Sequence, residues 1–267
     1  MIALPTYSPT PRHLDFGTPE FPLRPSATGK FFACPMSVFM TWKEEGGDSN
    51  SPADTGSMMH AGAAEFHRTH DVGEGERALL ASHQKFPQGD PDKALTIYRS
   101  YVADPKNSKA EVVWIEEPVR LTLPPAPGDP TGKPVVFQGT LDQVRKYEGT
   151  LQVWDIKTGS GKDPNESLDE YLLQQGVYTL AARETLDPTI QPGGLIYTPG
   201  YEKPRGRRFL PLGLTLSQVE ALLLPLVHLV SLIRQGVPLF TPSAGACKYC
   251  PVRRYTNCIP MYQGVFR

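Results

Sequence analysis

The sequence predicts an α/β fold, and three observations carry that expectation. Between residues 111 and 157 apolar and polar side chains alternate over three strand-length stretches, separated by a turn-rich gap and by Glu148-Gly149. Two capping boxes, Ser167 with Glu170 and Thr215 with Gln218, open segments whose apolar residues recur at helical spacing. Between those helices, residues 194–198 form a short apolar stretch of strand length.

In order along the chain, residues 1–25 are too rich in proline for regular structure and are expected to form an extended or disordered arm. Ser26 is placed to cap a helix carrying Lys30, Phe31, Cys34, Met36, Phe39 and Met40, with Pro35 early in it or kinking it. After a polar, Gly-rich stretch over 44–54, a second helix is predicted over 56–69. Its apolar stripe is Met59, Ala63 and Phe66, with His60 and His67 on an adjacent face. Residues 86–109 carry no pattern to assign. Strands follow over 111–123, 135–147 and 150–157, the last two joined by Glu148-Gly149 as a hairpin turn. The helix from Ser167 reaches about residue 184 on Leu173, Val177 and Leu180; the helix from Thr215 reaches about residue 235, with Pro225 as a kink and Gly236 as its stop. A length of 267 residues fits one large core with embellishments, so a single domain is expected over 26–267.

Composition narrows the function. A formal net charge of -1 excludes a chain that grips nucleic acid by bulk electrostatics, so any such contact must be local. Lys203, Arg205, Arg207 and Arg208 form one basic cluster and Lys248, Arg253 and Arg254 another; each is either a solvated turn or a phosphate contact. The N-terminal residues lack the basic start and apolar run of a secretory signal. The apolar run 221–233 is broken by Pro225 and His228 and falls short of the roughly 20 residues a bilayer span needs. A cytoplasmic protein without a membrane span is therefore expected, and in that reducing setting its four cysteines point to metal or cluster ligation rather than disulfides.

The informative stretch reads Gly139-Thr140-Leu141-Asp142 and then Asp155-Ile156-Lys157, on adjacent strands. Side chains alternate along a strand, so Asp155 and Lys157 share a face while Ile156 turns into the core and leaves its carbonyl near the acids. Two carboxylates and a carbonyl are hard oxygen donors of the kind that suit Mg²⁺ or Mn²⁺ with phosphate oxygens in the open positions. An Asp-x-Lys triplet by itself is more often an ion pair at a solvated sheet edge. The second acid one hairpin upstream, the apolar Trp154 and Ile156, and Gln174 and Tyr178 one turn apart on the next helix favour the metal site.

These residues resemble the RecB-like nucleases of the PD-(D/E)XK superfamily, whose pattern is Gly-x-x-Asp, then Asp-x-Lys, then Gln-x-x-x-Tyr. Residues 56–60 resemble that family's histidine-bearing helix, and Ser26 with Cys34-Pro35 its N-terminal signature. The resemblance implies a restriction-endonuclease-like core, a mixed central sheet flanked by helices. It further implies Mg or Mn held by His60, Asp142, Asp155 and the Ile156 carbonyl, Lys157 acting on water or phosphate, and Gln174 and Tyr178 in support. The acid often found four residues after the histidine is replaced by Ala64, and His67 and His70 are expected on a solvated face.

The cysteines complete the picture. Cys247, Cys250 and Cys258 crowd the C-terminal segment 245–260, and Cys34 lies far upstream. Four thiolates suit either tetrahedral Zn²⁺ or a 4Fe-4S cluster, and spacing does not separate the two. The arrangement resembles the iron–sulfur clamp of AddB nucleases and of CRISPR-associated RecB-like exonucleases, which implies the cluster and would present Arg253 and Arg254 to a DNA backbone. The expected function is a metal-dependent DNA exonuclease serving recombination, phage replication or CRISPR adaptation in a bacterial or phage-infected cell. The competing expectations are a non-catalytic DNA-binding or assembly module of a larger nuclease complex and a zinc-stabilised protein in which Asp-x-Lys is accidental; clustered acids argue against the pure binding role.

Overall fold

The computed structural model of the chain describes residues 11–43, 51–158, 168–198, 209–237 and 239. Five strands form one sheet in the order β1-β2-β3-β4-β5: β1 (Glu111–Leu123), β2 (Val135–Tyr147), β3 (Thr150–Lys157), β4 (Gln191–Tyr197) and β5 (Phe209–Pro211). The β1–β2, β2–β3 and β4–β5 pairs are antiparallel and β3–β4 is parallel, so the sheet is mixed as expected. Glu148 and Gly149 both take positive φ, 49° and 81°, which gives the β2–β3 hairpin a turn whose twist matches that of its strands. The parallel β3–β4 pair needs a crossover, and α7 (Leu168–Thr185) supplies it.

The two faces of the sheet build separate cores, and β3 divides its residues between them. Val153 joins the core formed with α7, α8 (Leu216–Arg234) and the N-terminal helices, while Trp154 and Ile156 join the one formed with α3 (Ser51–Thr69) and α5 (Pro91–Ala103). On the second face the Trp154 ring stacks on Phe209 with centroids 4.0 Å apart. Gly194 lets β5 close over it, because a Cβ there would collide with the Leu210 carbonyl oxygen.

The single helix expected from Ser26 is two helices, α1 (Thr28–Ala33) and α2 (Pro35–Lys43). Cys34 is extended between them, with φ −164° and ψ 100°. A residue before proline is driven out of the α region and Pro35 has no N–H to donate, so Pro35 opens a new helix instead of kinking the old one. Ser26 lies in a short 3-10 turn, Pro25–Ala27, and caps nothing.

Upstream of that turn, residues 11–25 are docked on the sheet. Phe16 is fully buried against Phe31 and Phe39. The buried Arg234 at the end of α8 donates to the Phe16 carbonyl at 2.9 Å and pairs with Asp129 at 3.1 Å. Val136 donates to the Gly17 carbonyl, Leu23 donates to the Val136 carbonyl, and Gln138 donates to the Leu23 carbonyl, each at 2.8 Å. The arm thereby runs along the edge of β2 that β3 leaves free.

Helix α3 begins at Ser51, ahead of the expected residue 56. Its first turn is tied down by Gln88, whose N–H reaches Asp54 at 3.1 Å, and by Asp90, whose N–H reaches Thr55 at 3.0 Å. Three helices occupy the stretch after it: α4 (Val72–Ser82), α5 and α6 (Pro105–Ser108), capped by Asp71, Asp90 and Asp104. Helix α8 carries the expected Thr215–Gln218 capping box, contains Pro225, and is followed by Gly236 at φ 77°. Among the described residues it is the helix long and apolar enough to cross a membrane by length and composition; in this fold it buries Val219, Leu223, Leu226, Val230 and Ile233.

Candidate metal centre and nuclease site

The site lies where β2 and β3 part. Their ladder ends at Gln143 opposite Trp154, and the next backbone N–H along β3, that of Ile156, is taken by the Asp142 side chain at 2.6 Å. A carboxylate thus stands where a strand carbonyl would otherwise be, and the opening between the strands is lined by acid. Ile156 is buried in the second core and its carbonyl turns into the opening, as strand alternation requires.

Helix α3 crosses this opening closely. A Cβ on Gly56 would stand 2.8 Å from Thr158 Oγ1, so α3 passes close to the end of β3. One turn later His60 reaches three acceptors: Nε2 lies 3.1 Å from the Ile156 carbonyl, and Nδ1 lies 3.3 Å from both Asp142 Oδ1 and Glu116 Oε1. Glu116 is a residue that sequence reasoning missed. It belongs to β1, between the pairs Ile115–Gln143 and Glu117–Leu141, and takes φ 51°. That left-handed conformation is strained for a side-chain-bearing residue and is found where a site over-determines it. His60, Glu116 and Asp142 each offer a ligand atom within 4.8 Å of the others.

Asp155 and Lys157 point to the opposite side, toward α7. Lys157 Nζ lies 2.7 Å from Asp155 Oδ2, Gln174 Nε2 donates to Asp155 Oδ1 at 2.7 Å, and Lys157 donates to Gln174 Oε1 at 3.3 Å. This closed triangle is an ion pair, but a buried one rather than one at a solvated edge: Asp155 is 5% exposed. Lys157 also lies over the Tyr171 ring, 4.6 Å from its centroid. Gln174 thus contacts both members of the pair. Tyr178, one turn further along α7, makes no hydrogen bond to Lys157 among the described residues; its hydroxyl packs over Gly139, 3.3 Å from where a Cβ would stand.

The charges are strongly coupled. Burial disfavours a charged imidazole, yet Asp142 and Glu116 hold His60 well above the ordinary histidine range. Burial raises the Asp142 carboxyl, but His60, Lys157 and the Ile156 N–H outweigh it and hold it below the usual carboxylate range. Asp155 goes the other way: burial, with repulsion from Asp142, pushes it up to about 6 against the pull of Lys157. Lys157 is held above the ordinary lysine value because Asp155 and Asp142 outweigh its burial.

Some expectations are corrected or fall elsewhere. His67 is buried, not solvated, because its Nε2 meets the Tyr101 hydroxyl of α5 at 2.7 Å; His70 is exposed. Cys34 is buried, and the Met36 N–H beside it donates to the Leu239 carbonyl at 3.3 Å. Cys247, Cys250, Cys258, Arg205, Arg207, Arg208, Arg253 and Arg254 lie outside the described residues.

A mixed sheet with two parting strands, a histidine and two carboxylates converging at the gap, and an Asp-x-Lys pair beside them form a donor set suited to a divalent metal. The chain belongs to the PD-(D/E)XK nuclease superfamily, whose family model matches residues 23–255. By that membership it is a phosphodiester hydrolase that uses divalent metal and acts on nucleic acid. Among solved structures, the crystal structure of SSO0001 is 16% identical, with a TM-score of 0.37 over 73% of this chain and 82% of that one, a loose likeness. No curated protein matches the chain.

Proposed function

We propose that the protein is a Mg²⁺- or Mn²⁺-dependent deoxyribonuclease that degrades DNA from its ends. The observation that carries the reading is the convergence of His60, Asp142 and the Ile156 carbonyl at the gap between β2 and β3, with the buried Asp155–Lys157 pair alongside. The donor set fits a hard divalent ion, since an imidazole, two carboxylates and a backbone carbonyl come together at one place. His60, Glu116, Asp142 and the Ile156 carbonyl would hold the ion, with Asp155 reached from the far side of Ile156. When bound, it supplies polarisation of the scissile phosphate and a lowered pKa for water.

The chain's own residues do the rest. Lys157 keeps its proton and donates it in a hydrogen bond to a phosphoryl oxygen as negative charge builds there. Asp155 positions the Lys157 ammonium through its Oδ2, 2.7 Å away. Gln174 fixes both groups at once, so neither swings away when substrate enters. The preference for DNA and for ends rests on the order of motifs shared with RecB-like nucleases, as does a role in recombination, phage replication or CRISPR adaptation in the bacterial cytoplasm.

A 4Fe-4S cluster on Cys34, Cys247, Cys250 and Cys258 belongs to the same proposal, with zinc as its alternative. Support comes from the hydrogen bond between Met36 and Leu239, because residue 239 stands eight positions before Cys247. Protein purified without air would be brown with a cluster and colourless with zinc. The nuclease reading is tested by incubating linear and covalently closed circular DNA, single- and double-stranded, with the protein and Mn²⁺ or Mg²⁺. Loss of linear DNA alone is expected; equal cutting of circles would overturn action from ends.

A further inference from the structure

We propose that Arg24 is a substrate-phosphate contact, presented by an arm that forms one wall of the nuclease cleft. The inference deepens the nuclease reading and rests on it. The arm is fixed in register by backbone bonds on both sides of Leu23, to Val136 and from Gln138, and by the buried Leu23 side chain. Leu23 bridges Phe137 in parallel, so Arg24 runs beside Gln138 and Pro25 beside Gly139. The contact is close enough to dictate the glycine: a Cβ on Gly139 would meet Pro25 Cδ at 2.9 Å and the Tyr178 hydroxyl at 3.3 Å. Gly139 in the Gly-x-x-Asp motif is thus the seat of the arm. Asp142 is three residues further along the same strand, about 10 Å away at the usual strand rise.

The Arg24 backbone is extended, with φ −85° and ψ 132°, and the proline after it narrows its freedom further. Its side chain is exposed and makes no hydrogen bond or ion pair among the described residues. Burial pushes the Tyr178 hydroxyl up, the acids Asp142, Asp155 and Glu116 push the same way, and Arg24 opposes them, so both charge sets act on this one hydroxyl. Arg24 and Asp142 therefore lie along the same stretch of β2, the arm meeting it at Phe137 to Gly139 and the acid following three residues later. Phosphate approaching that cluster is repelled by three carboxylates, whereas His60 and Lys157 are already engaged by them. A fixed backbone carrying an unpaired guanidinium at this rim suits a phosphate flanking the scissile one, which a planar fork binds through two N–H groups.

The test measures binding of a fluorescent DNA oligonucleotide to the full chain over a range of KCl, with Ca²⁺ in place of Mg²⁺. Wild type, R24A, R24K and, as a control, R77A are compared; Arg77 is an exposed arginine of α4 paired with Glu74. Removing one phosphate contact is expected to lower the slope of log K against log salt by about 0.9 on duplex or about 0.7 on single strands. R24A shows that loss, R24K restores the slope and R77A keeps it. Salt-dependent binding by wild type with an unchanged slope in R24A overturns this proposal and leaves the nuclease reading standing. Wild type that neither binds nor cuts DNA overturns both. Melting curves of all four proteins separate a lost contact from a lost fold.

Discussion

Replacing His67 by glutamine removes a titration that the fold makes costly. His67 sits two turns after His60 on α3, bonded to Tyr101, with Arg145 and His70 nearby. Burial, reinforced by Arg145 and His70, holds its pKa down to about 4 from an ordinary 6.5. The folded value lies below the unfolded one, so the unfolded chain takes the proton first. Stability from this group is complete above about 6.5 and is lost as pH falls from there toward 4. Between about pH 7.5 and about pH 5 the loss is about 2 kcal/mol, because each pH unit travelled between the two pKa values costs about 1.36 kcal/mol. Glutamine can still bond the Tyr101 hydroxyl but does not titrate. Urea unfolding of wild type and H67Q at both pH values is the assay, and only the pH-dependent difference is compared. Wild type is expected to lose about 2 kcal/mol more than H67Q on acidification; equal losses would refute a buried neutral His67.

Gly56→Leu is expected to reduce cleavage sharply, because a side chain too large to be relieved by rotating the Thr158 hydroxyl parts α3 from the end of β3 and lifts His60 from the Ile156 carbonyl. Half-saturating Mn²⁺ should rise while the melting temperature moves by only a few degrees; unchanged metal dependence would count against that placement of α3. Glu116→Gln is expected to raise half-saturating Mn²⁺ by about 10-fold or more, in line with the cost of disturbing groups around a metal. Titration calorimetry with Mn²⁺ checks this, and unaltered affinity would remove Glu116 from the ligand set.

The strands were legible because their signals are local. The Glu148-Gly149 turn, the alternation through β2 and β3 and the Thr215 cap each depend on neighbours within a few residues. The site core of His60, Asp142, Ile156 and Asp155–Lys157–Gln174 followed from motif order plus alternation. Glu116 was not legible, because nothing in Ile115-Glu116-Glu117 tells which acid faces Asp142; pairing register and a left-handed φ decide it. His67 was misplaced because its burial depends on Tyr101 arriving from α5, in a stretch where no pattern was assigned. Signals for that stretch existed in Asp90-Pro91 and Asp104-Pro105, each an N-cap followed by proline at the first helical position. The break at Cys34-Pro35 was equally available from the restriction on residues before proline.

We propose that the acids between β2 and β3 drive metal-dependent hydrolysis of DNA. It is tested most directly by comparing wild type with Asp155→Ala on end-labelled DNA in Mn²⁺, with and without EDTA. Wild type should degrade the DNA only with metal, and the variant should fall by about 100-fold or more, the scale on which a group stabilising the transition state acts. Cleavage by wild type that survives EDTA, or equal cleavage by the two proteins, would contradict the account.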